Sequence, residues 1–404
     1  MEIRPILSTL LRHKTAAILI VLEIALSCAI VCNALFLIGN RLEHMQRPSG
    51  LDEAHLLFVR VNGIAEDADA NAVTRADLDG LRAIPGVASV TSVNQIPFGN
   101  SMWMSSIKLT PDQESPTLTT TNYMVSEEGL KTLGVKLLEG RDFSPSEYVD
   151  SETNEYAAVI LTRALAQRLF PGQQAIGRSL YVFGSQPHRV VGIIEHLAKP
   201  RDGGPQAEYD MSMLFPARYT YIDGGTYALN VADPGQRQAV LEQARKVIAT
   251  HGPTRIISKT ATGTLQDLRA KYYRNDRAMA WLLVSVAVAL LVVTALGIIG
   301  LASFWVAQRT RQIGVRRALG ATRGQILRYF QTENFLLATV GIVLGMALAF
   351  AINQLLMSKY ELPRLPLMYL PVGAVLLWAL GQLAVLWPAR RAAAVPPAIA
   401  TRSA

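Results

Sequence analysis

Four runs of this chain are apolar almost without interruption: Ala16 to Gly39, Ala278 to Ala307, Phe335 to Met357 and Leu367 to Pro388. Each is long enough to cross a hydrocarbon layer of about 30 Å, which takes roughly 20 predominantly apolar residues in a helix. Between the first two lies a stretch of ordinary polar composition, Asn40 to Arg277, where apolar residues recur at the spacings of short strands and helices instead. The pattern predicts a membrane protein: four transmembrane helices with a large α+β domain inserted between helices 1 and 2, in water and able to bury a core of its own.

Within the polar stretch two patterns are alike. LLFVRVNG (56–63) reads as a strand, Val73, Leu78, Leu81 and Ile84 mark a helix, and GVASVTSV reads as a second strand. Far downstream TYALNVAD is a strand, Val240, Leu241, Ala244, Val247 and Ile248 mark a helix opened by Asp233 and Pro234, and TRIISKT is a strand. Two such βαβ units predict one pseudo-symmetric subdomain from residues 50–115 and 213–263, with a second subdomain, 116–212, inserted between them. The insert carries a strand at Tyr123–Val125, a strand AAVIL (157–161), a helix from Thr162 to Phe170, strands around SLYVF and RVVGIIE, and a turn-rich loop, HLAKPRDGGPQ (196–206). After Gly263 helix formers run from Leu265 into the second apolar run without Pro or Gly, predicting one continuous helix whose part before the membrane (264–277) is a stalk. Trp281, Trp305, Tyr369 and Trp387 fall at the ends of spans, as in interfacial aromatic belts.

Charge orients this layout. The 404 residues carry a net +8, but residues 41–277 hold 25 bases and 27 acids, whereas the rest hold 14 bases and 4 acids. The basicity is therefore a matter of membrane topology and does not indicate a nucleic-acid partner. Arg4, Arg12 and Lys14 precede the first run, six arginines follow the second, and Arg390, Arg391 and Arg402 follow the fourth. Basic loops stay on the cytoplasmic side, so both termini and the segment after Ala307 are expected inside and the large domain outside. The first run is longer than a signal-peptide core and no small-residue cleavage site closes it, so it is expected to be retained. Cys28 and Cys32 both lie in that run, which leaves the large domain without disulfides and makes the pair packing residues.

Chemistry is sparse. The six histidines are scattered without HExxH spacing, GRDF (140–143) reads as a turn, and there is no GxxxxGK[ST] phosphate cradle, so no metal site, catalytic residue or ATP hydrolysis is assigned to this chain. Glu23 is the one ionisable residue inside a predicted span and is expected to make a hydrogen-bonded packing contact, across a dimer interface or to Asn353 or Gln354. Gly341 and Gly345 form a GxxxG, suited to close helix packing.

The segment RTRQIGVRRALGATRGQILRYF (309–330) joins the second and third runs. Its six arginines alone make a topogenic loop, but Ile313, Val315, Leu319, Ile326 and Leu327 add an apolar surface and Gly314, Gly320 and Gly324 punctuate it. The combination predicts a short amphipathic helix at the membrane face.

These residues carry a resemblance. RQIGVRRALGATRGQIL (311–327) looks like the signature of the permease domain shared by the FtsX and MacB families of ABC transporters, and GVKLLEGRDFSPSE, AAVILTRALAQRLFPGQQAIGRSL and RVVGIIE are similar to the MacB periplasmic core. The resemblance implies a chain divided into 1–40 (cytoplasmic N-terminus and first helix), 41–277 (periplasmic core) and 278–404 (FtsX-like permease domain, with helices at 278–307, 335–357 and 367–388). It implies that 309–328 is a coupling helix docking on a separate ABC ATPase through Arg311, Gln312, Ile313, Gly314, Val315, Arg316, Arg317, Ala318, Leu319 and Gly320. Further implications are ATP and Mg bound by that ATPase and none by this chain, a second permease protomer, a periplasmic adaptor with an outer-membrane channel, and residence in a bacterial inner membrane. Motion, rather than a pore, would then drive export. Gln312 stands where the family pattern carries Glu, and the ATPase that MacB holds on its own chain is expected on another subunit here. A lipoprotein-extracting permease and an FtsX-like regulator of a cell-wall enzyme share the layout.

Overall fold

The computed structural model describes residues 14–64, 69–99, 102–151, 153–202, 208–222, 225–360 and 364–394. Arg4, Arg12, Arg402 and the stretch 203–206 of the turn-rich loop lie outside the described residues. The chain divides into two compact units, one of residues 1–46 and 275–404, the other of residues 47–274.

The first helix, α1 (Lys14–Met45), leads into the second unit. There β1 (Leu56–Gly63), α2 (Ala70–Arg82) and β2 (Val87–Val93) form the first βαβ, and β11 (Thr226–Val231), α5 (Arg237–Thr250) and β12 (Arg255–Ile257) form the second. Their strands lie in the order β12-β1-β11-β2, each antiparallel to its neighbour. Each crossover thus joins two parallel strands across an antiparallel one, the split βαβ arrangement. Both helices pack on one core, in which Leu57, Val59, Val90, Tyr227 and Leu229 from the strands meet Leu81, Val240, Leu241 and Ala244 from the helices. The Asp69 carboxylate accepts from the Ala72 N–H and caps α2, and Asp233 accepts from Gly235 N–H where the α5 segment begins. Asp77 on α2, 1% exposed, pairs with Arg255 of β12, also 1% exposed, and accepts a hydrogen bond from the Tyr227 hydroxyl at 2.6 Å, so the charge is buried with its partners.

The middle of the unit holds β3 (Met104–Ile107), β4 (Leu118–Val125), α3 (Gly129–Leu133), β5 (Leu137–Gly140), β6 (Val149–Asp150), β7 (Ala158–Thr162), α4 (Arg163–Leu169), β8 (Ser179–Leu180), β9 (His188–Ile194) and β10 (Ser212–Arg218). The sheet path continues β2-β4-β10-β7-β9-β5, and a second core gathers Val159, Leu161, Leu165, Met213 and Phe215. The two cores share one sheet, but β2 and β4 pair through a single register position, Val93 with Val125. Side chains complete this narrow join: Ser126 Oγ accepts from Ser92 N–H at 2.9 Å, Asn94 Oδ1 accepts from Met124 N–H at 2.9 Å, and Gln95 Nε2 donates to the Asn122 carbonyl at 2.8 Å. This seam of buried hydrogen bonds orients the two halves where an apolar interface would be less specific.

The GRDF turn is built around an ion pair. Arg141 Nη1 and Nη2 reach both oxygens of Glu147, at 2.8 and 2.6 Å, and Ser144 N–H donates to Glu147 at 2.7 Å. Arg141, and then the Ser144 N–H, hold the Glu147 carboxyl at about 2, below its ordinary 4.5. A carboxyl depressed on folding contributes stability that is present above pH 4.5 and is lost as pH falls toward about 2. Glu147→Gln is therefore expected to lower the urea midpoint of the purified protein at neutral pH and to flatten its acid limb, with the two proteins converging as pH falls toward about 2.

Beyond β13 (Gly263–Thr264) the chain forms α6 (Leu265–Tyr272), α7 (Arg274–Gln308), α8 (Thr310–Ala318), α9 (Arg323–Tyr360) and α10 (Tyr369–Ala393). Among the described residues four helices, α1, α7, α9 and α10, are long and apolar enough to cross a membrane. The continuous helix read from Leu265 onward is instead interrupted at Tyr273, whose ring is 2% exposed and stands against Phe98 and Tyr272. Packing of that ring overrides a local sequence with no helix breaker. The third membrane helix begins at Arg323, well before Phe335, because Thr322 and Gln325 cap it reciprocally: Thr322 N–H donates to Gln325 Oε1 at 2.9 Å and Gln325 N–H to Thr322 Oγ1 at 3.3 Å.

Candidate functional site

The segment singled out by sequence splits into a helix, a turn and the start of the next helix. Arg311 to Ala318 lie on α8, Leu319 is its C-terminal cap, and Gly320 closes the turn with φ +98°, a backbone state that a side chain would strain. Ile313 and Gly314 are buried, whereas Arg311, Gln312, Val315, Arg316, Ala318 and Gly320 are exposed and Arg317 is half-buried. Leu319 is 83% exposed, and Val315 is 46% exposed. The apolar residues grouped by sequence thus divide into two faces. Ile313 and Ile326 join the core of the membrane unit with Phe330 and Trp305, while Val315 and Leu319 point away from it.

What holds α8 in this phase is a contact the sequence reading missed. Arg309, the residue before α8, buries its side chain to 9% exposure and donates from Nη1 to both oxygens of Glu333 on α9, at 3.0 and 2.9 Å; Glu333 is 2% exposed. The guanidinium also lies over the Trp305 ring at 5.7 Å. Trp305, read as an aromatic at the end of a span, is 5% exposed and packs in the core of the membrane unit. The available signal was that Glu333 is the single acid between Arg277 and Glu361: a lone carboxylate beside six arginines has a partner to find.

The membrane unit packs closely where glycine removes a side chain. A Cβ on Gly341 would sit 2.9 Å from Ile24 Cβ, and one on Gly345 would sit 2.5 Å from Cys28 Cβ and 2.6 Å from the Ala25 carbonyl, so this face of α9 lies directly on α1. Asn33 Nδ2 adds a donor to the Ala349 carbonyl at 3.2 Å, and Ser27 and Thr294 hydroxyls meet at 2.7 Å between α1 and α7. Glu23 does not reach Asn353 or Gln354. It lies against Gly297 of α7, and Asn353 Oδ1 instead accepts from Leu365 N–H at 2.9 Å. Cys28 and Cys32 are buried and unbridged, 3.9 Å apart.

In the second unit, α6 is bound to the surrounding loops by several independent ties. Thr264 Oγ1 accepts from Asp267 N–H and caps the helix. Arg269 pairs with Glu53, donates to the Arg47 carbonyl at 2.7 Å and covers the Phe98 ring at 5.2 Å. Tyr272 donates from its hydroxyl to Asp202 at 2.7 Å, and Phe98 stands 5.7 Å from both Tyr272 and Tyr273. Burial, with Asp202 adding to it, pushes the Tyr273 hydroxyl up to about 12, so these rings stay neutral at any physiological pH. Phe98 lies in the same loop as Asn94 and Gln95 of the polar seam, so the loop that completes the join between the two cores also carries a contact of α6. Among the described residues no group of His, Cys, Asp and Glu is placed to hold a metal.

Residues 17–247 match the family described as MacB-like periplasmic core domain, and residues 284–397 match the FtsX-like permease C-terminal. Over 285 residues the chain is 28% identical to the macrolide export ATP-binding/permease protein MacB of Chromobacterium violaceum; the match covers 68% of this chain and only 42% of that protein. Over 410 residues it is 24% identical to the uncharacterized ABC transporter permease YknZ of Bacillus subtilis, covering 99% of this chain and 98% of that one. The crystal structure of the extracellular domain of YknZ aligns over 50% of this chain and all of its own, with 14% identity and a TM-score of 0.33.

Proposed function

The chain belongs to the family of permeases that carry a MacB-like periplasmic core domain, and from that premise we propose that it is the non-catalytic membrane subunit of an ABC transporter that works by transmitting motion. In this reading a separate ABC ATPase, holding ATP and Mg, docks in the cytoplasm on α8 and the turn after it. Two permease protomers sit side by side in the inner membrane with their termini inside. Closure of the ATPase pair displaces α8, the membrane helices carry the displacement outward, and the periplasmic unit drives export through an adaptor and an outer-membrane channel.

One observation carries this reading: α8 is clamped on one side by Ile313 and the buried Arg309–Glu333 pair, yet presents Val315 and Leu319 to solvent on the other. A helix fixed to the bundle with an apolar outer face suits a contact that pushes. Support for a separate ATPase is the full-length match to a relative named only as a permease, against a partial match to MacB, whose name includes ATP binding. The α6 ties supply a firm hold on the periplasmic unit.

Purified alone, the chain is expected to show no ATP turnover, and on co-expression with an ABC ATPase subunit it is expected to retain that subunit through purification. Robust hydrolysis by the isolated chain would end the proposal. Orientation is read in the same cells by an impermeant thiol reagent, with Cys28 and Cys32 replaced: a cysteine at the exposed Glu114 is expected to label and one at the exposed Thr322 to remain unlabelled.

A further inference from the structure

Between α8 and the first two turns of α9 lies a cavity of about 130 Å³. Its polar lining is Arg309, Gln312, Arg316, Gln325 and Tyr329, over an apolar floor that includes Phe330, and no carboxylate lines it. Arg309 spends Nη1 on Glu333, but its Nη2 is buried with no hydrogen-bond acceptor, in a side chain that is only 9% exposed. A charged donor left without an acceptor in a buried position is destabilising, so an anionic acceptor has something to gain there. Arg316 reaches the cavity from α8 with its guanidinium over the Tyr329 ring at 5.2 Å, and among the described residues it has no carboxylate partner.

The level of the cavity decides what kind of anion it meets. Arg309 directly follows the apolar run of α7, and Phe330 and Glu333 lie just before the apolar run of α9. In a chain that spans a membrane this is the depth of the headgroups, where basic pockets between helices meet anionic lipid. The chemistry that satisfies two guanidiniums and two amides in a small space is one with several acceptor oxygens around a single centre. We propose that this cavity binds a phosphate group, supplied by an anionic phospholipid headgroup or by a free phosphate ion, and that the bound group joins α8 to α9. A carboxylate offered by a docked protein is the competing occupant, but it has two oxygens against the four around a phosphorus and would have to enter at headgroup depth.

The inference rests on the membrane reading and not on the ATPase, so its test uses the full chain alone, purified in neutral detergent and examined by native mass spectrometry. Phosphatidylglycerol and phosphatidylcholine are titrated in turn, with Arg316→Gln, Gln325→Glu and Arg323→Gln as variants; Arg323 is exposed and does not line the cavity. Elution profile and thermal unfolding establish that each variant is folded. The wild type is expected to retain one phosphatidylglycerol in preference to phosphatidylcholine. Retention is expected to weaken roughly tenfold in Arg316→Gln and in Gln325→Glu, the order of one charge-assisted hydrogen bond, and to be unchanged in Arg323→Gln. Displacement of the lipid by millimolar inorganic phosphate assigns the site to the free ion, and resistance to it assigns the site to the headgroup. The proposal is overturned if all three variants lose lipid equally, which is diffuse surface charge, if none does, or if the isolated wild type retains neither lipid nor phosphate, which leaves the cavity to a partner's side chain.

Discussion

Leu319→Asp is expected to insert and fold as the wild type does and to lose ATPase binding and transport together. Leu319 is 83% exposed in the isolated chain, so a carboxylate there is solvated and costs the permease itself almost nothing. Once the position is covered by a partner the same charge is stripped of water without a counter-ion, at a cost of several kcal/mol. Every 1.4 kcal/mol is about tenfold in affinity, so co-purification is expected to fail outright. Val315→Asp should act in the same way. Ile313→Asp differs in kind: Ile313 is 6% exposed within the membrane unit, so its substitution is expected to lower the thermal unfolding midpoint of the isolated chain before any partner is added. Normal ATPase retention by Leu319→Asp and Val315→Asp would leave 309–328 as a topogenic loop.

Glu333→Ala is expected to cost the isolated chain about 3–5 kcal/mol, because it leaves the Arg309 guanidinium buried without its counter-charge. The consequence should not stop at stability. Arg309 sets the position of α8 against α9, so the variant is expected to uncouple residual ATP turnover from transport as well. Replacing both members by apolar residues of similar volume, Arg309→Met with Glu333→Leu, removes the unpaired charge and is expected to restore most of the unfolding midpoint. Coupling recovered by that double variant would show that the pair only fills space and holds α8; coupling still lost with stability regained would show that the charges themselves orient it. Equal stability of Glu333→Ala and wild type would contradict the burial of the pair.

The layout was legible because it is written in long, local patterns. Four apolar runs and the split of charge between residues 41–277 and the rest predict membrane helices and a water-exposed unit without knowledge of any contact. The paired βαβ units were legible too, since strand and helix periodicities and the Asp233–Pro234 start signal are local. What the sequence withheld depends on residues far apart meeting. Arg309 and Glu333 are separated by 24 positions, and nothing in either neighbourhood says that a buried pair results. The division of Ile313 from Val315 and Leu319 follows from the rotational phase of α8, which that pair and the core beneath it fix. Seen in sequence, all three are apolar residues in a basic segment. The break at Tyr273 was illegible for the same reason: helix propensity runs straight through, and only the rings of Phe98 and Tyr272 make the interruption worthwhile. The polar seam was the least visible of all, since Ser92, Asn94, Gln95, Asn122 and Ser126 look like the polar positions of exposed strands and are buried.

Motion delivered at α8 and expressed in the periplasmic unit is the central claim, and a distance tests it most directly. With Cys28 and Cys32 replaced and a spin label at the exposed position 114, the proposed complex of two protomers with an ATPase is expected to give an inter-label distance by pulsed electron resonance. The account predicts that trapping the ATPase closed with a non-hydrolysable nucleotide shifts this distribution. It predicts further that Glu333→Ala, in complexes that still hold the ATPase and bind nucleotide, abolishes the shift. An unchanged distance in the wild-type complex on closure, with nucleotide demonstrably bound, would contradict it.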